Sequence, residues 1–404
     1  MRLPPAPQTV PLDSLGGRTW DAAVVGAGPA GAAAARVLAG EGFRTVLLDR
    51  DALPRVKVCG DALLPDALSA LERLGALASV RARAFRAHTL RVWSPSGVRV
   101  DLDVEALLLP RIELDAILAR GALEAGALLA RGRVVRLDVE GARVRLRTRE
   151  GPGLTARVVV VATGARRALG PRVPGAPPSP SPPDAVAARR YLRCPGGPDV
   201  LQVIYHRSVL PGYGWIFPLG AGLYNVGCGV FRSRRLSEPL HRLFRRLLEE
   251  FPPARDLVSR GSFVSPLEAA PLRCGPPGGP FCGPGPVVWA GEVAGTTFPF
   301  TGEGVGKALA TGELAGRSAC RHLRSGGGAE LHGYAGTVLR RVAPLYRAYR
   351  AAERWVARPW LCDLLARRMN RSRRLRTSAA AVLREAASPK EVFSLAGVVR
   401  SLLG

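Results

Sequence analysis

Three glycines that follow an apolar run are the first feature of the sequence that predicts chemistry. Residues 22–25 are apolar, as in a buried strand, and Gly26, Gly28 and Gly31 come next in GxGxxG spacing. The first glycine permits a tight turn, the second lets the backbone approach a pyrophosphate, and the third lets a helix pack on the strand. Asp49 ends the next apolar run, in position for a ribose hydroxyl. The pattern predicts dinucleotide binding; a glycine turn in an ordinary strand–helix–strand unit is the alternative.

A second glycine-rich segment lies far along the chain. Gly291 and Glu292 end a predicted strand, and Gly302, Glu303 and Gly304 lead into a predicted helix. A large cofactor with separated phosphate and polyol parts would use both glycine segments, because each places backbone N–H groups at a helix start. The alternative is a loop that only caps its helix.

Two short segments between these glycine regions contain polar groups. Cys59, Gly60 and Asp61 form a predicted turn ahead of an amphipathic helix at 64–77, where they offer backbone N–H groups and a thiol near the nucleotide site. The same turn could be a simple helix cap. Arg111 begins another predicted helix, and it either lies against a phosphate or ribityl chain or is a solvated arginine.

Aromatic residues recur at every second position of one predicted strand. Tyr213, Trp215 and Phe217 share one face of that strand, and a glycine hairpin turn and a return strand at 223–230 follow. Three aromatic side chains on one face form either ordinary core or the wall of a ligand pocket. The density of glycine around them favours the pocket, because glycine leaves room for a ligand.

The order of the remaining segments predicts two sheets. The apolar run at 158–162 is typical of a central parallel strand. Strand-like segments at 89–104, 185–192 and 200–206 predict a second sheet, and the proline-rich segment 171–183 predicts a linker. The sequence therefore predicts a nucleotide-binding domain that is interrupted by a second domain.

Composition narrows the class of protein. The 404 residues carry a formal net charge of +26, but only three of the 58 basic residues are lysines and the arginines are dispersed, so we expect no nucleic-acid partner. The seven cysteines are odd in number and lack CxxC spacing, which argues against a disulfide framework and a metal site. The uncharged window 208–231 is rich in proline and glycine and predicts a hairpin instead of a membrane span. With no signal-peptide pattern in residues 1–15, we expect a cytoplasmic protein.

The C-terminal region is predicted to be helical and basic. Within 343–358, one helix face is apolar and another carries arginines, and Pro359 should break the helix. The apolar face contains Leu345, Tyr349, Ala352 and Val356, and the basic face contains Arg347, Arg350, Arg354 and Arg358. The helix either packs on the domain with a solvated basic face or contacts the surface of the inner membrane peripherally.

Taken together, these motifs resemble the geranylgeranyl reductase family of FAD-dependent oxidoreductases. The matching segments are Gly26-Ala-Gly28-Pro-Ala-Gly31 with Asp49, Lys57-Val-Cys59-Gly60-Asp61, Arg111-Ile-Glu-Leu-Asp115, Tyr213-Gly-Trp215-Ile-Phe217-Pro218, and Trp289-Ala-Gly291-Glu292 with Gly302-Glu303-Gly304. The chain departs from the family in having Glu292 where aspartate is usual and in having Pro211 two residues before Tyr213 instead of three.

The resemblance implies an α/β fold of the glutathione-reductase or para-hydroxybenzoate-hydroxylase type. It comprises a Rossmann-like FAD-binding domain, an inserted antiparallel-sheet substrate domain and a C-terminal helical extension. The implied bounds are 18–85, 105–180 and 270–328 for the FAD-binding domain, 86–104 and 181–269 for the substrate domain, and 329–404 for the helical region.

The resemblance also implies a role for each site residue. Gly26, Gly28, Gly31 and Asp49 would bind the ADP half of FAD; Arg111, Gly291 and Glu292 would meet the pyrophosphate and ribityl part; Gly302, Glu303 and Gly304 would lie by the isoalloxazine, with Cys59, Gly60 and Asp61 near the same ring. Tyr213, Trp215 and Phe217 would line the pocket for an isoprenoid chain, and Tyr213 or Cys59 would be the proton source.

The leading functional hypothesis is reduction of isoprenoid carbon–carbon double bonds by reduced FAD, with NADPH or a ferredoxin as the electron donor. An FAD-dependent monooxygenase acting on a hydrophobic natural product is the alternative, because the fold serves both chemistries. A flavin halogenase is disfavoured, since there is no lysine between Lys57 and Lys307 to serve as its catalytic residue. A non-catalytic flavin-binding protein is the third hypothesis.

Overall fold

The structure of the protein is a computed structural model that describes residues 4–151, 153–165, 183–231, 238–274, 281–389 and 392. The predicted proline-rich linker 171–183 lies outside these residues except for Pro183. The strands are β1 (Thr19–Val25), β2 (Thr45–Asp49), β3 (Ala62–Leu63), β4 (Phe85–Trp93), β5 (Arg99–Leu108), β6 (Leu128–Arg131), β7 (Val134–Glu140), β8 (Arg143–Thr148), β9 (Leu154–Val161), β10 (Ala185–Arg193), β11 (Leu201–Ile204), β12 (Gly212–Gly220), β13 (Leu223–Phe231), β14 (Ser262–Phe263), β15 (Glu268–Leu272) and β16 (Val287–Trp289). The helices are α1 (Pro29–Gly40), α2 (Pro65–Arg73), α3 (Leu77–Arg81), α4 (Arg111–Glu124), α5 (Leu240–Glu250), α6 (Pro252–Arg260), α7 (Val305–Ser325), α8 (Ala329–Val356), α9 (Pro359–Arg371) and α10 (Arg373–Leu383).

The first sheet has the order β6-β2-β1-β9-β8-β7, with β16 also paired to β9. Strand β1 lies parallel to β2 and β9, and β16 is parallel to β9, so the predicted central parallel strand at 158–162 is confirmed. These strands are largely buried, which accounts for their nearly continuous apolar sequence. Val24, Leu47 and Val160 are adjacent in register and fully buried. The carboxyl ends of β1, β2, β9 and β16 therefore meet at one edge of the sheet.

Small residues bring helices α1 and α7 close together beside this sheet. A Cβ at Gly312 would overlap the backbone of Ala30, and a Cβ at Gly316 would lie 3.0 Å from the carbonyl oxygen of Ala34. Ala30 and Ala34 are buried at this contact. Because neither helix has bulky side chains here, α7 packs directly against the helix that follows the glycine motif, and the two distant glycine segments become neighbours.

The second sheet has the order β14-β10-β13-β12-β11-β4-β5-β3, with β15 paired to β10. Strands β12 and β13 form the predicted antiparallel hairpin within 208–231, with Gly220 and Gly222 in the left-handed conformation at its turn. None of the helices in the described part of the chain combines the length and apolar character needed to cross a bilayer. Strand β15 spans residues on both sides of the predicted 269–270 domain boundary, and the domain bounds stay a prediction.

Helices α9 and α10 pack against β5 of the second sheet, and α8 packs against α7 and α9. The Asp363 carboxylate at α9 accepts hydrogen bonds from Ser94 Oγ (2.6 Å) and the Ser96 backbone N–H (2.9 Å) in the β4–β5 turn. The predicted apolar face of α8 is largely buried. Of the predicted basic face, Arg347, Arg354 and Arg358 are exposed, whereas Arg350 is half-buried and donates to Glu353 at 3.0 Å. Helix α8 ends at Val356 and α9 begins at Pro359, so the predicted proline break is confirmed.

Candidate functional site

The carboxyl edge of the first sheet collects the first group of predicted site residues. Gly26 follows β1, Asp49 ends β2, Thr163 follows β9 and Gly291 follows β16. In open α/β sheets this edge forms the crevice in which nucleotides bind. The structure thus brings together residues that are separated by most of the chain.

The glycine loop leaves space where the sequence predicts a pyrophosphate. Gly26 has φ of +107°, and a Cβ there would overlap the carbonyl of Ala162; a Cβ at Gly31 would overlap the carbonyl of Gly26. At Gly28, by contrast, the nearest atoms to an added Cβ would be the Nη2 atoms of Arg55 at 3.8 Å and Arg111 at 3.9 Å. The loop therefore has no room for a side chain at Gly26 or Gly31. At Gly28 it borders open space, and the guanidinium groups of Arg55 and Arg111 face that space.

Arg111 is buried and paired, so the solvated-arginine alternative is wrong. Its Nε donates to Asp115 Oδ1 (2.7 Å) and its Nη2 to Asp115 Oδ2 (2.9 Å), and Asp115 has no exposed surface. Burial by itself would lower the pKa of Arg111, but the Asp115 carboxylate outweighs it and the pKa is raised. Arg111 consequently stays charged beside the glycine loop.

Arg55 completes this cluster, although the sequence analysis assigned it no role. It donates to Asp49 Oδ2 and to Asp115 Oδ2, both at 3.1 Å. Asp49 Oδ2 also accepts the Ala27 N–H at 2.7 Å, so the carboxylate that was predicted for a ribose also orients the glycine loop. Asp115 could have been found from its i,i+4 spacing to Arg111, which is the spacing of a helical ion pair.

The crevice fits the ADP half of FAD. Arg55 Nε and Thr163 Oγ1 are buried and have no hydrogen-bond partner among the described residues. Buried polar atoms are normally paired, so these two atoms, together with the space above Gly28, suit a bound group with phosphate and hydroxyl oxygens. The roles of the individual residues stay predictions.

The Gly291–Glu292 segment is held by α7. Gly291 has φ of +75°, and its N–H donates to Thr311 Oγ1 at 3.0 Å. The Glu292 carboxylate accepts the Arg273 N–H at 3.2 Å and lies 4.0 Å from Lys57 Nζ. The longer glutamate side chain that departs from the family pattern is thus partnered by the backbone at the end of β15.

The Asp61 side chain connects helix α4 to strands β10 and β13 of the second sheet. Its Oδ1 accepts the Arg111 N–H (3.0 Å) at the start of α4, and its Oδ2 accepts Tyr191 Oη–H (2.7 Å) and Asn225 Nδ2–H (2.8 Å). Helix α2 instead begins after Leu64 without a side-chain cap, so the proposal that the turn caps the helix directly after it is wrong. Asp61 has φ of +65°, a strained conformation that these bonds hold in place.

Cys59 lies on the same turn and is held by Asn225. Asn225 donates to the Cys59 carbonyl oxygen at 2.7 Å and accepts from Trp215 Nε1 at 2.9 Å. Burial raises the pKa of the Cys59 thiol and also the pKa of the Asp61 carboxyl. Cys59 is therefore a neutral thiol and not an activated thiolate. Tyr191, which sequence reasoning missed, faces Asn225 across the β10–β13 ladder, and no local sequence signal marks that register.

The three aromatic side chains on β12 share one face, as predicted. Ring centroids are 5.9 Å apart for Tyr213 and Trp215 and 6.2 Å for Trp215 and Phe217. Tyr213 and Phe217 line a cavity, whereas Trp215 packs over Gly227 and holds Asn225. Both sequence interpretations therefore apply: Trp215 belongs to the core and its two neighbours form part of a cavity wall.

A cavity of about 260 Å³ lies between the segments predicted to contact the flavin, the second sheet and the C-terminal helices. Residues 59–61 and 300–306 form one part of its wall. Apolar residues of β4, β5 and β11 form a second part, and apolar residues of α9 and α10, which have no site role in the sequence prediction, form a third. The strand residues are Leu90, Val92, Val100, Leu102, Leu201 and Val203, and the helix residues include Leu365, Met369, Val382 and Leu383.

Comparison with known proteins supports FAD binding and identifies relatives. A family model described as FAD binding domain matches residues 19–179. A menaquinone reductase of Mycolicibacterium smegmatis is 34% identical over 315 residues, which cover 73% of this chain and 75% of that protein. Digeranylgeranylglycerophospholipid reductase 2 of Methanopyrus kandleri is 31% identical over 75% of this chain and 78% of that protein. Geranylgeranyl diphosphate reductase of Rhodobacter capsulatus is 28% identical over 77% and 78%.

Solved structures match nearly the whole chain. A geranylgeranyl bacteriochlorophyll reductase-like protein from Thermoplasma acidophilum has a TM-score of 0.77 at 20% identity, covering 95% of this chain and 96% of that chain. A flavin-dependent brominase has a TM-score of 0.73 at 15% identity, covering 96% and 98%. At these identities the likeness shows the fold alone, and it confirms the predicted Rossmann-like FAD-binding architecture.

Proposed function

The chain belongs to the geranylgeranyl reductase family of FAD-dependent oxidoreductases, and we propose that it saturates carbon–carbon double bonds in the prenyl chain of a lipid. The observation that carries the proposal is the apolar cavity that is lined by the Cys59–Asp61 turn, by the second sheet and by α9 and α10. A prenyl chain has no polar handle, so apolar area and shape are the means by which a protein can hold it.

FAD is the cofactor of this protein, and the crevice residues bind it in the proposed arrangement. Gly28 leaves room for the pyrophosphate, Arg55 and Arg111 neutralise its charge, and Asp49 orients the loop and meets the ribose. Gly291 and Glu292 contact the ribityl part, and the Gly302–Gly304 loop lies beside the ring system. Support comes from the open space at Gly28 and from the unpartnered polar atoms of Arg55 and Thr163.

The chain contributes positioning and exclusion of water, because an unactivated alkene resists attack by a hydride. FAD in its reduced form supplies the hydride. Tyr213 and Phe217 on one side, and Phe300 on another, hold the alkene at the flavin end of the cavity. The Asp61 network keeps the Cys59–Asp61 turn rigid between the two sheets, so the wall of the cavity and the cofactor crevice keep one geometry.

Anaerobic incubation of the dithionite-reduced holoprotein with prenyl lipids tests the proposed function. The lipids to be tested are menaquinone, geranylgeranyl diphosphate and a digeranylgeranylglycerophospholipid. Each is named in the name of a relative, and each carries a prenyl chain. We expect at least one lipid to gain two hydrogens per reduced double bond, read by mass spectrometry, with re-oxidation of the flavin. A product that gains oxygen, and only when air is present, would favour the monooxygenase alternative.

The C-terminal helices form a surface suited to an anionic membrane, and we assign it that contact. Trp360 is 63% exposed at the start of α9, the helix whose opposite side lines the cavity. The C-terminal helices and the turn before α9 also carry exposed arginines: Arg354, Arg358, Arg367, Arg371, Arg373 and Arg374. Arginine attracts acidic lipid headgroups, and tryptophan favours the membrane interface. A lipid substrate would then enter the cavity from the bilayer between α9 and α10.

Vesicle flotation tests this surface. Wild type should float with vesicles that contain 30% phosphatidylserine and should stay unbound with neutral vesicles. Trp360→Ser should lower the bound fraction several-fold, whereas Val264→Ser, which removes an exposed apolar side chain outside the C-terminal helices, should leave it unchanged. Equal binding of wild type and Trp360→Ser, or equal binding to neutral vesicles, would overturn the assignment.

A further inference from the structure

Glu303 places a carboxyl group beside the cavity that is only partly hydrogen-bonded, through Thr301. It lines the cavity in the loop that leads into α7, near Tyr213 and Phe300. Its Oε2 atom is buried and has no hydrogen-bond partner among the described residues. An unpartnered buried oxygen costs free energy in folding, so a protein that retains one has a use for it that the folded chain by itself does not satisfy.

The other carboxyl groups in the cavity wall are already engaged. Asp61 accepts hydrogen bonds from Arg111, Tyr191 and Asn225. Asp66 accepts from Lys307 Nζ at 2.5 Å. Both carboxylates are therefore fixed as acceptors, whereas Glu303 lines the cavity with one carboxyl oxygen, Oε2, that no described residue bonds.

The hydroxyl and thiol groups in the wall are weaker acids. Tyr213 already donates its proton to the Thr301 carbonyl oxygen. Burial raises the pKa of Tyr213, Tyr205 and Tyr349, and it also raises the pKa of the Cys59 thiol. A proton donor works best when its pKa lies near the working pH, so these groups suit the role less well than a carboxyl group.

Glu303 lies in the loop before α7. Titratable groups on or next to six elements of the fold, α7 among them, face it. Burial raises the pKa of Glu303 to about 8, Lys307 opposes that rise, and Asp66 and Glu385 reinforce it. The facing groups are Lys307 on α7, Asp66 on α2, Glu385 after α10, Tyr205 after β11, Tyr213 on β12 and Tyr349 on α8. The carboxyl group is thus protonated at neutral pH.

We propose that Glu303 is the catalytic acid that protonates the substrate alkene, an inference that rests on the proposed reductase function. The alkene receives a hydride with its two electrons from reduced FAD at one carbon and the Glu303 carboxyl proton at the other. The Glu303 O–H bond breaks with its electron pair left on the carboxylate, and two C–H bonds replace the π bond while the two electrons are lost by the flavin. Water returns the proton to Glu303 after each turnover.

Glu303→Gln in the holoprotein tests the role through a pH profile. Single-turnover reduction of the prenyl substrate by wild type should slow above pH about 8, as the carboxyl group loses its proton. The glutamine variant should be about 100-fold slower at pH 7 and should lack that decline. Glu313→Gln is the matched control, because Glu313 is a buried glutamate on the adjoining helix α7, is paired with Arg73 and Arg317, and does not line the cavity. It should keep the wild-type profile.

Two further measurements do not depend on turnover. Infrared spectra at pH 7 should show a protonated carboxyl band that Glu303→Gln removes. Because the folded pKa is raised, the contribution of Glu303 to stability is complete below pH about 4.5 and is lost as the pH rises to about 8, so the wild-type melting temperature should fall over this window relative to the variant.

The outcomes separate the two proposals. Wild type that reduces a prenyl substrate while Glu303→Gln matches its rate and its pH profile would overturn the role of Glu303 and leave the proposed function intact. Wild type that reduces none of the lipids would overturn the proposed function. Absence of the protonated carboxyl band in active wild type would also overturn the assignment, whatever the rates.

Discussion

Gly28→Ala should fold normally and lose FAD. The Gly28 backbone is extended, with φ of −81°, and a new Cβ would meet only the ends of two arginine side chains at 3.8 and 3.9 Å, so the apoprotein accommodates alanine. The added methyl group would occupy the space in which the backbone approaches the pyrophosphate. We expect FAD affinity to fall about 100-fold, which corresponds to roughly 3 kcal/mol.

Flavin content after gel filtration and a fluorescence titration of the apoprotein with FAD measure this loss. Gly40→Ala is the matched control, since Gly40 ends the same helix and has nothing within 4 Å of an added Cβ. It should keep full affinity and match or exceed wild type in stability. Gly31→Ala should differ from both, because its Cβ would overlap the Gly26 carbonyl and destabilise the apoprotein. Full flavin content in Gly28→Ala would contradict the assignment of the loop.

Arg111→Ala should destabilise the protein even without cofactor. The variant removes the bidentate partner of Asp115, a carboxylate with no exposed surface, and leaves Arg55 as its remaining guanidinium partner in the described structure. Loss of one member of a buried ion pair costs about 3–5 kcal/mol, and the Arg55 contact should hold the loss near 3 kcal/mol. FAD affinity should fall as well, because one guanidinium group no longer faces Gly28.

Urea unfolding of the apoprotein measures the change in free energy. Arg83→Ala is the control. Arg83 pairs at 2.8 Å with Glu113, which lies on α4 like Arg111, but the Arg83 side chain is 42% exposed. Loss of this pair should lower the free energy of unfolding by less than about 1 kcal/mol. Arg111→Met combined with Asp115→Leu should regain much of the stability, since the buried Asp115 charge is then absent and Arg55 keeps Asp49 as its partner. A loss for Arg111→Ala as small as that for Arg83→Ala would show that the buried pair contributes little.

Residues with local patterns were predicted well. The GxGxxG turn, the apolar strand at 158–162 and the alternating aromatics of β12 each follow from a short-range rule about glycine conformation or side-chain period. The helix break at Pro359 follows from its missing N–H. These features depend on neighbours in sequence, so the sequence contains all the information they need.

Contacts between distant segments were missed, even where each residue had been noticed. The sequence allows the Cys59–Asp61 turn to be a cap for the helix after it, yet the Asp61 carboxylate bonds to α4, β10 and β13. The register of β10 against β13 places Tyr191 opposite Asn225, and no pattern within either strand specifies that register. The sequence allows two interpretations of Arg111, because the burial of its side chain depends on how α4 packs.

The sequence by itself determined the class of cofactor, the α/β fold and the aromatic face, because backbone conformation and side-chain alternation are local properties. The tertiary structure decided which of those residues share a site. It brought the glycine loop under Arg55 and Arg111, closed the apolar cavity with α9 and α10, and left the Glu303 carboxyl at the cavity wall without a partner for Oε2. The burial and the charged neighbours of Arg111 and Glu303 come from helices and strands that lie far apart in the sequence. The pKa of each side chain depends on that packing.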